Sequence, residues 1–457
     1  MNKCVVVLAA GEGKRMKSQN AKVLQQVLFK PMISWVLDNV TEAGIEDACV
    51  VTGHRSEQVE EFLGGRFECA LQSERLGTGH AVMQAEEFLR EHSEGDVLIL
   101  YGDAPFVSPE TILQSYAQMS GAAAVIVTSH TDRPYGYGRI LTGMRGEVTD
   151  IVEEKDADEQ QKKIQTINAG IYWFQTEALL EALPKLSRDN AQGEFYLTDV
   201  IRVLIEDGKK VLTYDAPFFE ILGANDGVQL NDLNEQARTR MLERHMQNGV
   251  LVPCRDGIII APDVEIGADT VVLPGCILKG STRIGEGCVI GPNCVIEDSF
   301  IGDRSVINQS QICKSIVEND VRIGPFSQLR PDSHIKSGVK IGDFVEIKNS
   351  TIGSKTSVAH LTYVGDSDIG KNVNFGCGVV TVNYDGAGKF RTVVEDDAFI
   401  GCNTNLVAPV KIGKGAYTAA GTTVTSDVPG DALVIGRTIQ TIKHGWALQK
   451  KKKEETL

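Results

Sequence analysis

The sequence predicts two unlike folds in one chain: an α/β domain with a Rossmann-like, mostly parallel sheet, then a linker helix, then a parallel β-helix. Three observations carry this. At 457 residues the chain exceeds what one hydrophobic core serves, so at least two domains are expected. Helix-like and strand-like segments alternate through roughly the first 230 residues, an order that gives a parallel sheet covered by helices. Over residues 258–428 an aliphatic or aromatic residue followed by Gly recurs, as Ile266-Gly267, Ile284-Gly285, Ile290-Gly291, Ile323-Gly324, Ile341-Gly342, Ile369-Gly370, Phe375-Gly376, Ile400-Gly401 and Ile412-Gly413.

Several of those steps are 6 or 18 residues. A hexad rhythm marks a parallel β-helix, in which each coil of about three hexads buries its inward aliphatic only by stacking on its neighbours. A β-sandwich would alternate with period two and keep no fixed glycine phase. On this reading the aliphatic faces inward and the Gly allows the corner. The pattern resembles the left-handed β-helix of hexapeptide-repeat acyltransferases, and that resemblance implies the handedness and a homotrimer with active sites between neighbouring prisms.

Composition excludes several classes. No apolar run approaches the roughly 18 residues that span a membrane. The first such run, residues 4–10, is followed by charged residues rather than a cleavage site, so it reads as a strand and a cytoplasmic location is expected. Ten scattered Cys without C-x-x-C pairs read as reduced thiols rather than zinc ligands. A net charge of -15 argues against nucleic acid as a partner, and the lysines of 450–453 read as a solvated tail. Small-molecule substrates remain, and any phosphate must be met by local positive groups.

Val5, Val6, Val7 and Leu8 form a strand buried on both faces, which ends in Ala9-Ala10-Gly11-Glu12-Gly13-Lys14-Arg15-Met16. Gly11 and Gly13 let backbone N–H groups approach phosphates while Lys14, Arg15 and Lys22 supply charge; a plain tight turn is the competing reading. The loop is neither a Walker A motif nor a complete G-x-G-x-x-G fingerprint. Helices are expected over 31–43, 56–63 and 79–90, with strands over 48–52 and 97–100. Tyr101-Gly102-Asp103-Ala104-Pro105 then lies at the carboxyl end of a strand, where open α/β sheets bind ligands. Asp103 could hold Mg2+ there, or could cap the helix that starts near Pro109.

Leu8-Ala9-Ala10-Gly11-x-Gly13-x-Arg15-Met16, Lys22-Val23-Leu24, Gln72 and Leu76-Gly77-Thr78-Gly79 together resemble the sugar-1-phosphate nucleotidyltransferases. Gly138-Arg139-Ile140, Ile151-Val152-Glu153, Asn168-Ala169-Gly170 and Gly223-Ala224-Asn225 extend the likeness to about residue 227. Lys14 stands where that family often has Thr. The resemblance implies that Leu8, Ala9, Gly11, Lys22, Gln72, Gly77 and Thr78 hold a uridine nucleotide. Tyr101, Gly138, Glu153, Asn168 and Asn225 would hold the sugar, Asp103 and Asn225 a Mg2+ ion, and Arg15 and Lys22 would act on the phosphates.

Leu230, Leu233, Ala237, Met241 and His245 recur at steps of three and four, so 228–248 should be one amphipathic helix of about 30 Å, closed by Asn248-Gly249. The expected boundaries are 1–227 for the first domain, 228–249 for the linker and 250–457 for the β-helix with its tail.

Interruptions of the repeat carry information, since loops that break a solenoid cluster on its functional face. They are Ser327-Gln328-Leu329-Arg330-Pro331, Glu346-Ile347-Lys348, His360-Leu361-Thr362-Tyr363-Val364-Gly365-Asp366, Asn374-Phe375-Gly376-Cys377-Gly378, and an insertion from Thr381-Val382-Asn383-Tyr384-Asp385-Gly386 to about Glu395. These resemble the second half of the family that joins N-acetylglucosamine-1-phosphate uridyltransferase to glucosamine-1-phosphate acetyltransferase. With the segment 437–446 the likeness covers essentially the whole chain.

That resemblance implies His360 as the base of acetyl transfer. Arg330, Lys348, Tyr363 and Asn374 would bind the sugar phosphate, with Lys389 arriving from a neighbouring chain. Acetyl-CoA would lie against Cys377, Asn383, Tyr384, Cys402, Ala420 and Arg437, and the Cys377 amide would face the oxyanion. Cys402 stands where the family more usually has Ser. The implied activity is synthesis of UDP-N-acetylglucosamine, with UTP, acetyl-CoA and Mg2+ as co-substrates and cofactor. Two other readings stay open. One is a single-activity nucleotidyltransferase whose β-helix only oligomerises, as in ADP-glucose or GDP-mannose pyrophosphorylases; the other is a regulatory subunit like those of eukaryotic translation-factor exchange complexes.

Overall fold

A computed structural model describes residues 2–454, with side chains to residue 450. The chain divides into two compact units, 1–237 and 238–457. The helix Gly227–Gln247 spans that division, and Gly249, at φ 90°, follows it. Among the described residues no helix is long and apolar enough to cross a membrane.

In the first unit Val5, Val6 and Val7 are fully buried in the strand Lys3–Leu8. This strand pairs in parallel with Asp47–Thr52 on one side and Asp96–Tyr101 on the other. Thr166–Gln175 joins Asp96–Tyr101 antiparallel, so the sheet is mixed, with Glu68–Leu71 and Val211–Asp215 at its two ends. A hairpin of Arg139–Thr142 and Val148–Val152 hangs from Thr166–Gln175.

The helices follow their sequence signals. Met32–Glu42 buries Met32, Ile33, Val36, Leu37 and Val40, one stripe of a 3.6-residue period. Pro109–Ala117 is capped by the Ser108 hydroxyl, which accepts from the Thr111 N–H, so Asp103 is not a cap. The single helix expected over 79–90 is instead two, Thr78–Gln84 and Glu86–Glu91. Ala85 leaves the helical conformation between them and its N–H bonds back three residues to Val82; the bend lets Ala81, Val82, Phe88 and Leu89 enter one core.

The second unit is three parallel sheets of ten, nine and ten strands, each coil giving one short strand to each sheet. Inward aliphatics stack in columns such as Ile260, Leu278, Ile296, Ile312, Leu329, Ile347 and Val364, all buried. Coils are not of constant length. Ile266 stacks on Ile284, Ile284 on Ile301 and Ile301 on Val317, steps of 18, 17 and 16 residues. The 25-residue step from Ile369 to Val394 accommodates the insertion.

The recurring glycines act differently from expectation. Most are not in the left-handed region, which at the corners is taken by Asp269, Asn293, Arg304, Asp320, Asn372 and similar residues. The glycines are required by close stacking instead. A Cβ on Gly376 would come within 2.5 Å of the Cys402 amide nitrogen in the next coil, and one on Gly401 within 2.5 Å of the Thr418 carbonyl oxygen.

His245, placed on the apolar face of the helix by its spacing, is 4% exposed, and Leu242 beside it is part of the β-helix core. Burial, with Arg244 adding to it, pushes the imidazole down from 6.5 to about 4, and its Nε2 has no hydrogen-bond partner. The unfolded chain therefore takes up this proton first on acidification. The stability associated with neutral His245 is complete above pH 6.5 and lost as pH falls towards 4, an effect of about 3 kcal/mol. Chemical denaturation of the β-helix at pH 7 and pH 4.5 should show that loss, and His245→Leu should shrink it.

Candidate active sites

In the first unit the carboxyl ends of the central parallel strands define a cleft. Leu8 and Ala9 are fixed by backbone bonds, with Gly102 donating to Leu8 and Ala9 donating to Val51. The following loop turns at Gly13, whose φ of 60° is left-handed, and packs on the stem of Lys22. Arg15 and Gly11 are exposed, while Lys14 is a surface side chain paired with Glu12 at 3.1 Å. Gln72 is buried; its amide donates to the Gly77 carbonyl at 3.1 Å and contacts His80. Thr78 accepts from the Leu197 N–H and hydrogen-bonds with Tyr101, so the two proposed nucleotide segments lie against one end of the sheet.

The sugar residues named from the sequence also converge. A Cβ on Gly138 would touch Asn168 and the Glu153 carboxylate, and one on Gly170 would enter the Tyr101 ring. Asn168 donates to the Tyr172 hydroxyl at 2.6 Å and accepts from the Gly170 N–H at 3.1 Å. Burial pushes the Glu153 carboxyl up, with a Thr198 hydroxyl at 3.2 Å as its counterweight. Burial and the charges of Glu153 and Asp103 raise the Tyr101 phenol, keeping it a neutral hydrogen-bonding group.

Asp103 and Asn225 meet through a cation. The Lys22 ammonium forms an ion pair with the Asp103 carboxylate and donates to the Asn225 side-chain oxygen at 2.8 Å. Gly223 packs against the Asp103 backbone, which brings the second loop over the first. Two hard oxygens aimed at one positive charge fit Mg2+, which takes one or two protein oxygens and completes its shell with water and phosphate. Among the described residues no group of three or more His, Cys, Asp or Glu is arranged for a metal.

In the second unit stacking assembles the other site on one outer face. His360 ends the strand Ser357–His360 directly above Asp343, and its Nδ1 lies 2.8 Å from the Asp343 carboxylate. A carboxylate only accepts, so Nδ1 carries the proton of this bond and Nε2 is the nitrogen left to face outward chemistry. That hydrogen bond holds the Asp343 carboxyl below its usual range. The adjoining sheet carries Glu346 beneath Tyr363 and Lys348 beneath Gly365. Arg330 is held by Glu346 at 2.8 Å. Asn374 stands on Ser357, one coil above.

Lys389 lies beside Lys348 within this same chain, close enough that its charge, with that of Arg330, pushes the Lys348 ammonium down. The insertion that carries Lys389 folds back as a hairpin, with Tyr384 bridged to Lys389 and the Phe390 N–H donating to Asn383. Cys377, Cys402 and Ala420 occupy one corner in successive coils, where Asn403 donates to the Cys377 carbonyl and Gly421 to that of Cys402. The Arg437 guanidinium donates to the Ala420 carbonyl at 2.6 Å. The tail lysines 451–453 lie outside the residues whose side chains are described.

The matches to known proteins fall on these same two units. Residues 4–220 match the nucleotidyl transferase family, and 263–298, 314–349 and 391–426 match the bacterial transferase hexapeptide family of six repeats. A curated protein of Acetivibrio thermocellus named bifunctional protein GlmU is 48% identical, covering 97% of each chain. Proteins of the same name from Thermoanaerobacter pseudethanolicus and Caldanaerobacter subterraneus are 50% and 51% identical over 98% of each chain. The chain belongs to the bifunctional GlmU family. Like the GlmU proteins it is a transferase with a nucleotidyltransferase domain and a left-handed β-helix of hexapeptide repeats.

Sequence reasoning on this GlmU chain missed Asp343, Glu346 and Asp366 as functional neighbours. A spacing of one coil was the available signal: each of these carboxylates stands 16 or 17 residues from the side chain it holds.

Cysteine exposure separates the two thiols of the corner. Cys402, Cys69 and Cys254 are exposed, Cys377 is half-buried, and Cys4, Cys49, Cys276, Cys288 and Cys294 are buried. Brief maleimide treatment followed by peptide mass mapping should label the first three and spare the last five. Acetyl-CoA should protect Cys402 alone; labelling of Cys402 that acetyl-CoA leaves unchanged would put that thiol outside the cofactor's footprint.

Proposed function

We propose that this GlmU-family chain makes UDP-N-acetylglucosamine in two steps. The β-helix transfers acetyl from acetyl-CoA to glucosamine-1-phosphate, and the first domain then transfers uridylyl from UTP to N-acetylglucosamine-1-phosphate, releasing pyrophosphate. The carrying observation is the His360–Asp343 pair at the end of the strand that leads, through two residues, into Tyr363–Gly365, which stacks on the strand of Lys348, itself beside Lys389 and Arg330, in a chain that also has a nucleotide cleft. An imidazole poised beside a phosphate-binding cluster suits an amino sugar phosphate, and a purely oligomerising β-helix has no use for it. The proposed division is 1–227 for uridylyl transfer, 228–249 as linker and 250–457 for acetyl transfer.

In acetyl transfer the sugar ammonium loses a proton to His360 Nε2, and the free amine attacks the thioester carbonyl. The C–N bond forms, the C–S bond breaks, and the second proton that the nitrogen sheds on acylation goes to the departing sulfur, so CoA leaves as the thiol. Asp343 keeps Nδ1–H donating, orients the ring and stabilises the imidazolium. Arg330, Lys348 and Lys389 bind the phosphate, while Tyr363 and Asn374 orient the sugar. Acetyl-CoA lies along Cys377, Asn383, Tyr384, Cys402, Ala420 and Arg437, with the Cys377 amide facing the oxyanion. Neither thiol is needed as a nucleophile, since the amine attacks directly.

In uridylyl transfer the nucleophile is already an anionic phosphate, so the protein's task is positioning and charge neutralisation. Leu8, Ala9, Gly11, Gln72, Gly77 and Thr78 hold the nucleotide, and Tyr101, Gly138, Glu153, Asn168 and Asn225 the sugar. Arg15 and Lys22 meet the phosphates. Asp103 and Asn225 would hold Mg2+, which when bound shields phosphate charge. The need for UTP and acetyl-CoA implies a cytoplasmic location.

The working form in this proposal is a homotrimer. Phe326, Phe344 and Leu361 make an exposed apolar ridge beside His360, with the two rings stacked at 5.4 Å, and Ile439, Ile442, Trp446 and Leu448 of the tail are exposed as well. Such apolar surface in a polar chain is best covered by another copy. Light scattering of the full chain should give three chain masses; an active monomer would contradict this.

Incubation with glucosamine-1-phosphate, acetyl-CoA, UTP and Mg2+, following thiol and pyrophosphate separately, tests the two activities. Asp103→Ala should abolish pyrophosphate release and leave thiol release within about twofold, while His360→Ala should lower thiol release by about a hundredfold or more and spare pyrophosphate release when N-acetylglucosamine-1-phosphate is supplied. A folded variant losing both activities would overturn the assignment.

A further inference from the structure

Asp366 is a 5% exposed carboxylate beside the acetyl-transfer site for which nothing above supplies a role. It sits at a corner in the left-handed region, φ 47°, where its N–H donates to the Lys348 carbonyl at 3.0 Å and its carbonyl accepts from the Thr392 N–H at 3.1 Å. Its two carboxylate oxygens face in different directions. Oδ1 accepts from the Asn349 side-chain amide at 2.5 Å, in the coil below, and Oδ2 accepts from the Asn383 side-chain amide, in the insertion above. Both donors are neutral, so no ion pair at contact distance accompanies this buried charge.

What the charge does face is the cation cluster. It favours the charged form of Lys348, opposing Lys389 and Arg330, and likewise that of Arg391, whose guanidinium is held at 2.5 Å by Asp368. Asn383, meanwhile, is the base of the hairpin: its carbonyl receives the Phe390 N–H at 2.9 Å, and the next residue, Tyr384, is bridged to Lys389. Its amide also lies 3.5 Å from the Tyr363 hydroxyl. One carboxylate thus ties the insertion to the coil below it and sets a negative charge near the Lys348 ammonium, which Lys389 and Arg330 repel.

We propose that Asp366 is a positioning residue for the sugar phosphate: it seats the hairpin through Asn383 so that Lys389 stands beside Lys348, and its charge keeps the two ammonium groups together when no phosphate is bound. This deepens the acetyl-transfer reading and rests on it. His360 and Asp343 belong to a strand pair of the adjoining sheet, and the Asp366 carboxylate bonds to Asn349 and Asn383 instead, so the proton-transfer pair has no contact with it.

The consequence is a split between binding and turnover. Asp366→Asn keeps the size, removes the charge and turns one amide against another, so KM for glucosamine-1-phosphate should rise about tenfold or more while kcat stays within about threefold. Adding Asn349→Asp restores an acceptor opposite a donor and returns the charge to the contact with the coil below, while the new side-chain oxygen at position 366 still accepts from Asn383, so the double variant should recover KM to within about threefold of the parent. Asn349→Asp alone sets two carboxylates against each other and should raise KM at least as much as Asp366→Asn. Acetyl transfer by the parent chain is measured first, since its absence would sink the functional reading rather than this one. With an active parent, an unchanged KM in Asp366→Asn overturns the proposal. So does a fall in kcat with KM unmoved, the mark of a smaller folded fraction. If Asp366→Asn alone does not fold, the double variant decides: parental KM in a folded protein supports the seat, and a KM still raised about tenfold overturns it.

Discussion

Every outer side chain of the β-helix owes its neighbours to one constraint: a coil hydrogen-bonds only to the coil before and the coil after. Parallel strands lie about 4.8 Å apart, so residues one coil apart in sequence become contacts. Asp343 meets His360 and Asn349 meets Asp366 across 17 residues, and Arg330 meets Glu346 across 16. None of these pairs depends on a long-range fold. Each depends on the register of one coil on the next, and the glycines protect that register, because a Cβ at Gly376 or Gly401 would wedge two coils apart. A site built this way needs no dedicated scaffold. It needs three or four successive coils that carry the right outward residues, and an insertion long enough to fold back over them.

The first unit obeys a different constraint with a similar result. Its parallel strands Lys3–Leu8 and Asp96–Tyr101 end side by side, so the loops that follow them, carrying Gly11 and Asp103, must share one cleft. The antiparallel strand Thr166–Gln175 beside them adds Asn168, whose amide order is fixed by Tyr172 and Gly170. Here the sequence was informative because each ligand-facing residue sits in a local motif at a strand end. Local motifs survive in one dimension.

Much of the fold was legible for the same reason. The run of valines named a buried strand, Pro109 named a helix start, and Ile-Gly pairs named stacked coils. Legibility failed where a contact spans a coil. Asp343, Glu346 and Asp366 look in sequence like ordinary surface acids, and a strict period of 18 would not have paired them, since the coils here close in 16 to 18 residues. It failed also where a backbone choice is decided by packing. Nothing local at Ala85 announces a break, but a straight helix would not put Ala81, Val82, Phe88 and Leu89 into one core. The glycine role was misjudged because sequence shows that a side chain is missing, and only the neighbouring coil shows what it would have struck.

The two sites share an electrostatic device that neither motif announces. Both must receive phosphate, so both concentrate positive charge, and in a folded chain without substrate that charge needs a counterweight. In the first unit Lys22 is balanced by Asp103 and Asn225, the same oxygens suited to a divalent cation. In the second, Lys348 is balanced by Asp366 from the next coil, while Arg330 is balanced by Glu346. The difference lies in what happens when substrate arrives. Asp103 and Asn225 are the residues proposed to hold a divalent cation, which would supply the charge that Lys22 supplies here and leave its ammonium to the nucleotide phosphates, so there the counterweight would be exchanged. Asp366 is buried and held by two amides, so it cannot be exchanged, and under the proposed assignment the sugar phosphate would be added to a charge balance that stays in place. A site of the first kind couples metal and nucleotide binding, whereas one of the second kind is preorganised and needs no metal to assemble it.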